Sequence, residues 1–195
     1  MIKNIYLASR SPRRAELLQQ IGIDFYILPT DIDESARTDE TPEAYVIRLA
    51  AEKASACQTS LYLNGAQKLP ILAADTTVSI DGLILGKPEN DEDAHAMLSR
   101  MSGRWHEVHT GLAVASDKGL ETAISTTRVE LAVLSEQTIA AYIASGEPRD
   151  KAGAYGIQGL AGTFIRRIEG SYSGVMGLPI FETAVLLKNA GVDVL

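Results

Sequence analysis

Arg13 and Arg14 open the first helix that the sequence specifies, just after Ser9, Ser11 and Pro12. The first turn of a helix already carries unpaired N–H groups and positive potential, so two cations there are locally unfavourable. A bound phosphate reverses that sign, because it accepts from helix N–H groups and guanidinium forks together. The bland alternative is a pair of solvated surface arginines. Lys53 is a second anomaly: Val46, Leu49 and Ala50 mark the buried stripe of the second helix, and Lys53 follows them at seven, four and three residues, on the same face. Its ammonium either snorkels past the core edge or points into a cleft as a phosphate ligand. Asp75 is the third. It sits in Ile71-Leu72-Ala73-Ala74-Asp75-Thr76-Thr77-Val78, a strand whose composition otherwise reads as buried. A carboxylate there needs a cation, a metal or hydrogen bonds, or it costs several kcal/mol, unless it only caps loop amides at the strand end.

An acidic loop, Asp31, Asp33 and Glu34, lies between the basic elements. Hard divalent ions take such oxygen ligands, and Mg²⁺ commonly uses one or two carboxylates plus substrate phosphates. His95, His106 and His109 have no zinc-ligand spacing and read as structural or surface residues.

These side chains must be positioned by the surrounding elements. Ile5 to Ala8 reads as a buried strand; Ser11 as N-cap and Pro12 at the first position start a helix along Leu17, Leu18 and Ile21 that Gly22 stops. A second helix opens at Thr41-Pro42 and is expected to run to about Cys57. Ile71 to Ile80 forms a strand, Asp81-Gly82 a two-residue turn, and Leu83 to Leu85 the returning strand. Continued regularly, that register puts Lys87 opposite Thr76 and next to Asp75, with a bulge near Gly86 needed to turn the two charges to one side. Asp91 to Met101 is a helix with acids in its first turn. Strands follow at about Glu107 to Ala115 and Leu120 to Leu134, then a helix from Glu136 to Ser145. A glycine-rich stretch from Asp150 to Gly162, a strand at Thr163 to Ile168 and a helix near Phe181 to Ala190 complete the chain. Alternating strands and helices with tight turns predict an α/β fold on a mixed sheet, without a clean linker anywhere in 1–195. The later strands are expected to form a second lobe across a cleft.

Hydrophobic residues at 46% and charged ones at 22% describe an ordinary globular chain. The net charge of −7 argues against a nucleic-acid polymer as partner but leaves room for a small phosphorylated ligand held by a few gathered cations. One cysteine, Cys57, fits a reducing compartment, and neither a signal sequence nor a membrane-length apolar run is visible, so a cytoplasmic protein is expected. No G-x-x-x-x-G-K-S/T occurs, which excludes a P-loop ATPase, and Gly153 to Gly162 is not a dinucleotide fingerprint.

Taken together, S-R-S-P-R-R (Ser9 to Arg14), D-I-D-E (Asp31 to Glu34), R-L-A-x-E-K-A (Arg48 to Ala54), A-D-T-x-V (Ala74 to Val78), G-K-P, D-K-A-G-A-Y-G-I-Q-G (Asp150 to Gly159) and G-L-P (Gly177 to Pro179) resemble the Maf family of nucleotide pyrophosphatases over nearly the whole chain. The resemblance implies an elongated mixed sheet flanked by helices, similar to inosine triphosphate pyrophosphatases, with the site between two lobes and a homodimeric assembly. It also implies metal-dependent cleavage between the α and β phosphates, with Mg²⁺ or Mn²⁺. By matching motifs, Asp75 is implied as catalytic base or metal-organising carboxylate, with Glu34, Lys53 and Lys87 in the same site. Glu34 and Asp75 are the implied metal ligands, and Ser9, Ser11, Arg13, Arg14, Thr76 and Gln158 the substrate contacts, with Arg13, Thr76 and Gln158 at positions tied to substrate choice. S-P-R-R, A-D-T and Y-G-I-Q-G look like the subgroup acting on dTTP, UTP and modified pyrimidine triphosphates. The rivals are the same chemistry on 7-methyl-GTP and a nucleotide-binding regulator, touching cell division, that does not cleave.

Overall fold

The computed structural model describes residues 4–64 and 67–194. Its centre is a mixed seven-stranded sheet in the order β2-β1-β3-β5-β6-β7, with β4 also paired to β3. The strands are β1 (Asn4–Leu7), β2 (Asp24–Ile27), β3 (Ile71–Ile80), β4 (Leu83–Leu85), β5 (Trp105–Ser116), β6 (Gly119–Leu131) and β7 (Ile165–Glu169). The helices are α1 (Pro12–Gln20), α2 (Pro42–Leu63), α3 (Asp91–Met101), α4 (Glu136–Ala144), α5 (Tyr172–Met176) and α6 (Ile180–Asn189). β1 runs parallel to β2 and β3, and the other pairings are antiparallel, so the expected mixed α/β sheet is present.

The apolar core is divided by the sheet. Ala50, Ala54 and Cys57 of α2 pack on Ile71, Ala73, Ala113 and Ala115. On the opposite face, Leu17 and Leu18 of α1 and Leu186 and Leu187 of α6 close over Leu72, Ala74, Leu112 and Val114. Further along the same long strands, α3, α4 and the glycine-rich segment cover Val78, Val108 and Val129. Leu49 and Leu72 are fully buried, and truncating such a residue costs about 2–5 kcal/mol. The strands of the second half thus continue the sheet of the first, and the two halves are joined through β3, β5 and β6.

Several boundaries differ from the sequence expectation. α2 continues past Cys57 to Leu63; Tyr62 and Leu63 are exposed there, so the apolar stripe that marked the helix gives out before the helix does. β6 ends at Leu131 rather than Leu134, and the last strand starts at Ile165 because Leu160–Phe164 forms 3₁₀ turns. β2 and α5 were not expected. β2 is a four-residue edge strand, mostly exposed and without burial alternation, and α5 has five residues, too few for a helical period to show. Ser11 occupies the N-cap position with extended backbone, but its side chain makes no capping bond. The Asp81-Gly82 turn is as expected, both residues having positive φ (55° and 76°) and Ile80 facing Leu83.

Candidate active site

β1 feeds α1 towards β2 on one side, whereas β2 feeds α2 back across to β3 on the other. The chain therefore diverges at the carboxyl ends of β1 and β3, the place where open α/β sheets leave a crevice. The crevice is widened by the pairing along one edge of β3. β1 borders that edge only at Ile71 and Leu72, and β4 only from Val78 to Ile80. Between Ala73 and Thr77 no strand borders it among the described residues, and Asp75 and Thr76 lie in that gap. A cavity of about 650 Å³ opens there. Successive strand side chains point to opposite faces, so Asp75 meets α2 while Thr76 meets α1.

On the α2 face, Lys53 Nζ lies 2.6 Å from Oδ1 of Asp75 and 2.6 Å from Oε1 of Glu34. Lys53 and Asp75 are 9% and 8% exposed, so this ion pair is shielded from water and screened little by salt. Close approach of α2 makes it feasible. Gly111 of β5 pairs with Asp75, and a Cβ there would sit 2.4 Å from the Val46 carbonyl oxygen. Glu34 is held through its main chain: Tyr45 Oη donates to the Glu34 carbonyl at 2.8 Å, and Arg48 donates to the Ser35 carbonyl at 3.1 Å while binding Glu40.

On the α1 face, the Arg14 guanidinium donates from Nε to the Gly177 carbonyl (2.8 Å), and from its terminal nitrogens to Ser9 Oγ and Thr76 Oγ1 (3.2 Å each). A guanidinium has five N–H donors. Three are placed and two are left for a ligand. Thr76 passes its own proton to Thr110 Oγ1 (2.9 Å), since Thr110 donates onward to the Gly174 carbonyl (2.8 Å). Ser9 Oγ also accepts from the Ser11 N–H at 3.2 Å.

Burial dominates the titration of the central carboxylate. It pushes the Asp75 carboxyl above its ordinary 3.8, against the charges of Lys53 and Arg14 and the Lys53 hydrogen bond, with Glu34 adding to the rise. For Glu34, burial acts upward, but the Lys53 hydrogen bond and the charges of Lys53, Lys87 and Arg14 outweigh it and leave the carboxyl below the usual range. Burial lowers the Arg14 guanidinium, countered by Asp75, while Arg13 reinforces the lowering.

The side chains that the motif resemblance assigns to the site all line this one cavity: Asp75, Glu34, Lys53 and Lys87, together with Ser9, Ser11, Arg13, Arg14, Thr76 and Gln158. The contacts correct some expectations. Lys87 does not sit beside Asp75 through a bulge: the ladder ends at Leu85, and the Gly86 carbonyl turns away to accept from the Gly153 N–H at 3.0 Å. Lys87 lines the same cavity and acts on Glu34 by charge. Of the acidic loop, only Glu34 reaches Lys53. Asp31 is bound bidentately by Arg10 (2.8 and 3.0 Å), and Asp33 accepts from the Ser35 N–H. Arg13 pairs with Asp150 at 3.2 Å across the cleft. His106 and His109 are buried and bonded to Tyr155 and Ser79, and His95 lies at the surface beside Glu136.

Glu34 and Asp75 are the residues that could hold a divalent ion. Their carboxylates both face Lys53 Nζ at 2.6 Å and are hard oxygen ligands of the kind Mg²⁺ takes one or two of, beside substrate phosphates; among the described residues no cluster of three or more such ligands adds to them. Tyr45, Thr110 and Gly111 also shape the site, and no sequence motif marks them. Gly111 carries a readable signal, a glycine inside a strand marking close backbone approach; Tyr45 and Thr110 carry none.

A family model described as Maf-like protein matches residues 4–190. A Methylobacillus flagellatus protein named dTTP/UTP pyrophosphatase is 67% identical over 190 residues, covering 97% of this chain and 94% of that one. A Pasteurella multocida protein of the same name is 50% identical over 192 residues, covering 96% of each. Among solved structures, the Staphylococcus aureus Ham1 protein has a TM-score of 0.48 at 16% identity, covering 67% of this chain and 72% of its own.

Proposed function

The chain belongs to the Maf-like protein family, and from that premise we propose that it hydrolyses dTTP and UTP, with modified pyrimidine triphosphates, to the monophosphate and pyrophosphate. The observation that carries the reading is Lys53 Nζ at 2.6 Å from both Asp75 and Glu34, in one cavity with Arg13, Arg14 and Lys87. It is a site with carboxylates on one wall and cations around them, as a triphosphate with a divalent ion requires.

In this reading, water attacks the α-phosphorus in line and pyrophosphate leaves. Asp75, with its carboxyl raised by burial, accepts the water proton. Lys53 fixes the Asp75 carboxylate and draws Glu34 to it. The two free N–H groups of Arg14, with Arg13 and Lys87, meet phosphate oxygens as charge moves to the leaving group. Glu34 and Asp75 would hold Mg²⁺ or Mn²⁺, which supplies charge neutralisation and lowers the pKa of water. Gln158, exposed at the cavity rim with an amide donor and acceptor, reads the edge of the pyrimidine. A homodimer belongs to the same reading and is tested by sedimentation.

Incubation with dTTP or UTP and Mg²⁺ or Mn²⁺ should yield monophosphate and pyrophosphate in equal amounts. In ¹⁸O-labelled water the label should enter the monophosphate. Orthophosphate as first product, or label in pyrophosphate, would overturn the assigned bond; preference for 7-methyl-GTP in a matched panel would move the substrate; intact triphosphate would leave a binding protein.

A further inference from the structure

Gln158 does not stand on a free loop. The Gly159 N–H donates to the Gly156 carbonyl at 3.0 Å, closing a turn with Ile157 and Gln158 at its corners. Ile157 is buried and Gln158 is exposed to the cavity. Both ends of the turn are tied to one carboxylate that does not line the cavity. Glu147 Oε2 accepts from the Leu160 N–H at 2.8 Å, and Oε1 accepts from the Ala161 N–H at 3.4 Å and from Tyr142 Oη at 2.8 Å. Tyr142 Oη in turn accepts from the Gly156 N–H at 3.2 Å. The chain wraps so closely that a Cβ at Gly159 would lie 2.4 Å from either Glu147 oxygen. Glu147 is itself anchored, its carbonyl accepting from Lys151 Nζ at 2.7 Å and its N–H donating to Ser145 Oγ at 3.2 Å.

We propose that Glu147 is a positioning residue for base selection: with Tyr142 it clamps the Gly156–Gly159 turn from behind and thereby fixes where Gln158 meets the base. The inference rests on the reading of Gln158 given above. A carboxylate suits the task because it has acceptor sites for several donors at once, while an amide has one acceptor oxygen and places an NH₂ against N–H or O–H groups. A shift of the turn misplaces one hydrogen bond to the base and leaves the phosphate contacts of α1, α2 and β3 as they are.

The test compares kcat/KM for dTTP with that for dGTP in Glu147→Gln, Tyr142→Phe and Gln158→Ala, and adds each of the first two to Gln158→Ala. The dTTP:dGTP ratio is expected to fall about tenfold in Glu147→Gln and in Tyr142→Phe, the scale of one hydrogen bond. Neither change should lower the ratio further once Gln158 is already alanine. An unchanged ratio in both single variants overturns the proposal, as does an equal fall for both nucleotides or a fully additive loss in the Gln158→Ala background. Dissociation constants for non-hydrolysable analogues of the same two nucleotides give the ratio without turnover. A wild-type protein that binds but does not cleave would therefore defeat the hydrolytic reading alone, and the binding ratio would still decide the role of Glu147.

Discussion

Gly111 stands directly across the β3–β5 ladder from Asp75, and the space its missing side chain leaves is taken up by the main chain of α2 at Val46. The distance from α2 to the sheet is therefore set next to the residue that Lys53 must reach. Gly111→Ala puts a methyl group against backbone, which has no rotamer to yield, so the helix must move. The expected result is a stability loss of about 1–3 kcal/mol and a fall in dTTP turnover of about a hundredfold, because a small misplacement of catalytic groups is enough for that. Denaturant melts and kcat measured side by side check it. Turnover close to wild type would mean that α2 can shift without disturbing the pair.

Lys53→Met removes the cation between two carboxylates and leaves Asp75 buried. Keeping that charge unpaired would cost about 3–5 kcal/mol; taking up a proton avoids most of the cost, and burial already pushes Asp75 that way. The variant is expected to fold and to lose turnover by about 10²–10⁴-fold at pH 7, with Asp75→Asn at least as inactive. Circular dichroism and pyrophosphate release measure the two halves of this expectation. A folded Lys53→Met protein with wild-type kcat would remove the Lys53–Asp75 pair from the mechanism.

The charges that contradict their surroundings were the legible part of the site. Lys53 on an apolar stripe and Asp75 inside an apolar strand each needed a partner, and they are partners of each other. The two strands and the turn around Asp81-Gly82 were legible for a similar reason, since residue types there match the required backbone. A regular register continued beyond Leu85 misplaces Lys87, because the Gly86 carbonyl leaves the ladder there for Gly153, a residue far along the chain. Thr110 and Glu147 were invisible for a related reason. Each acts through contacts distant in sequence, Thr110 with Gly174 and Glu147 with Leu160, and a threonine in a strand or a glutamate near a helix end is an ordinary residue until its neighbours are known.

Thr110→Val keeps the shape of the residue and breaks the relay from Arg14 through Thr76 to the Gly174 carbonyl. Thr76 loses the acceptor for its hydroxyl proton, a cost of about 1–3 kcal/mol for one unsatisfied group, while the Gly174 carbonyl keeps the Gly177 N–H at 3.0 Å. Arg14 keeps its bonds to the Gly177 carbonyl and Ser9 but loses the fixed position of Thr76 as its third partner, so KM for dTTP is expected to rise about tenfold, with a smaller change in kcat. Thr110→Ser restores the hydroxyl and should restore KM; persistence of the defect in the serine variant would place the effect in packing.

Glu34 is more exposed than Asp75 and is presented from a loop held by Tyr45 and Arg48. A residue so placed can lose its charge without collapse of the fold. Chelation with EDTA is expected to abolish hydrolysis and added Mn²⁺ to restore it. Glu34→Gln should raise the Mn²⁺ concentration for half-maximal rate at least tenfold, the scale of one ligand-shell defect. Full activity in EDTA would rule out the divalent ion.

His106 makes the stability of this protein sensitive to mild acid. It is 2% exposed on β5, with Nε2 2.7 Å from the Tyr155 hydroxyl, and Nδ1 has no hydrogen-bond partner among the described residues. Burial lowers its pKa from 6.5 to about 4. Well above pH 6.5 the imidazole is neutral in both folded and unfolded chains and has no pH-dependent effect. As the pH falls from there, the unfolded chain takes up a proton that the folded chain refuses, so stability drops by about 1.4 kcal/mol per pH unit until about pH 4, about 3 kcal/mol in all. His109, also lowered by burial, adds in the same direction, while the raised Asp75 carboxyl acts in the opposite sense. Both remain in a His106→Phe variant, so subtracting its stability-versus-pH curve from that of the wild type cancels them and leaves His106. The difference is expected to be flat above pH 7 and to slope by about one proton between pH 6 and 4.5. Parallel curves through that window would mean that the buried imidazole protonates as readily folded as unfolded.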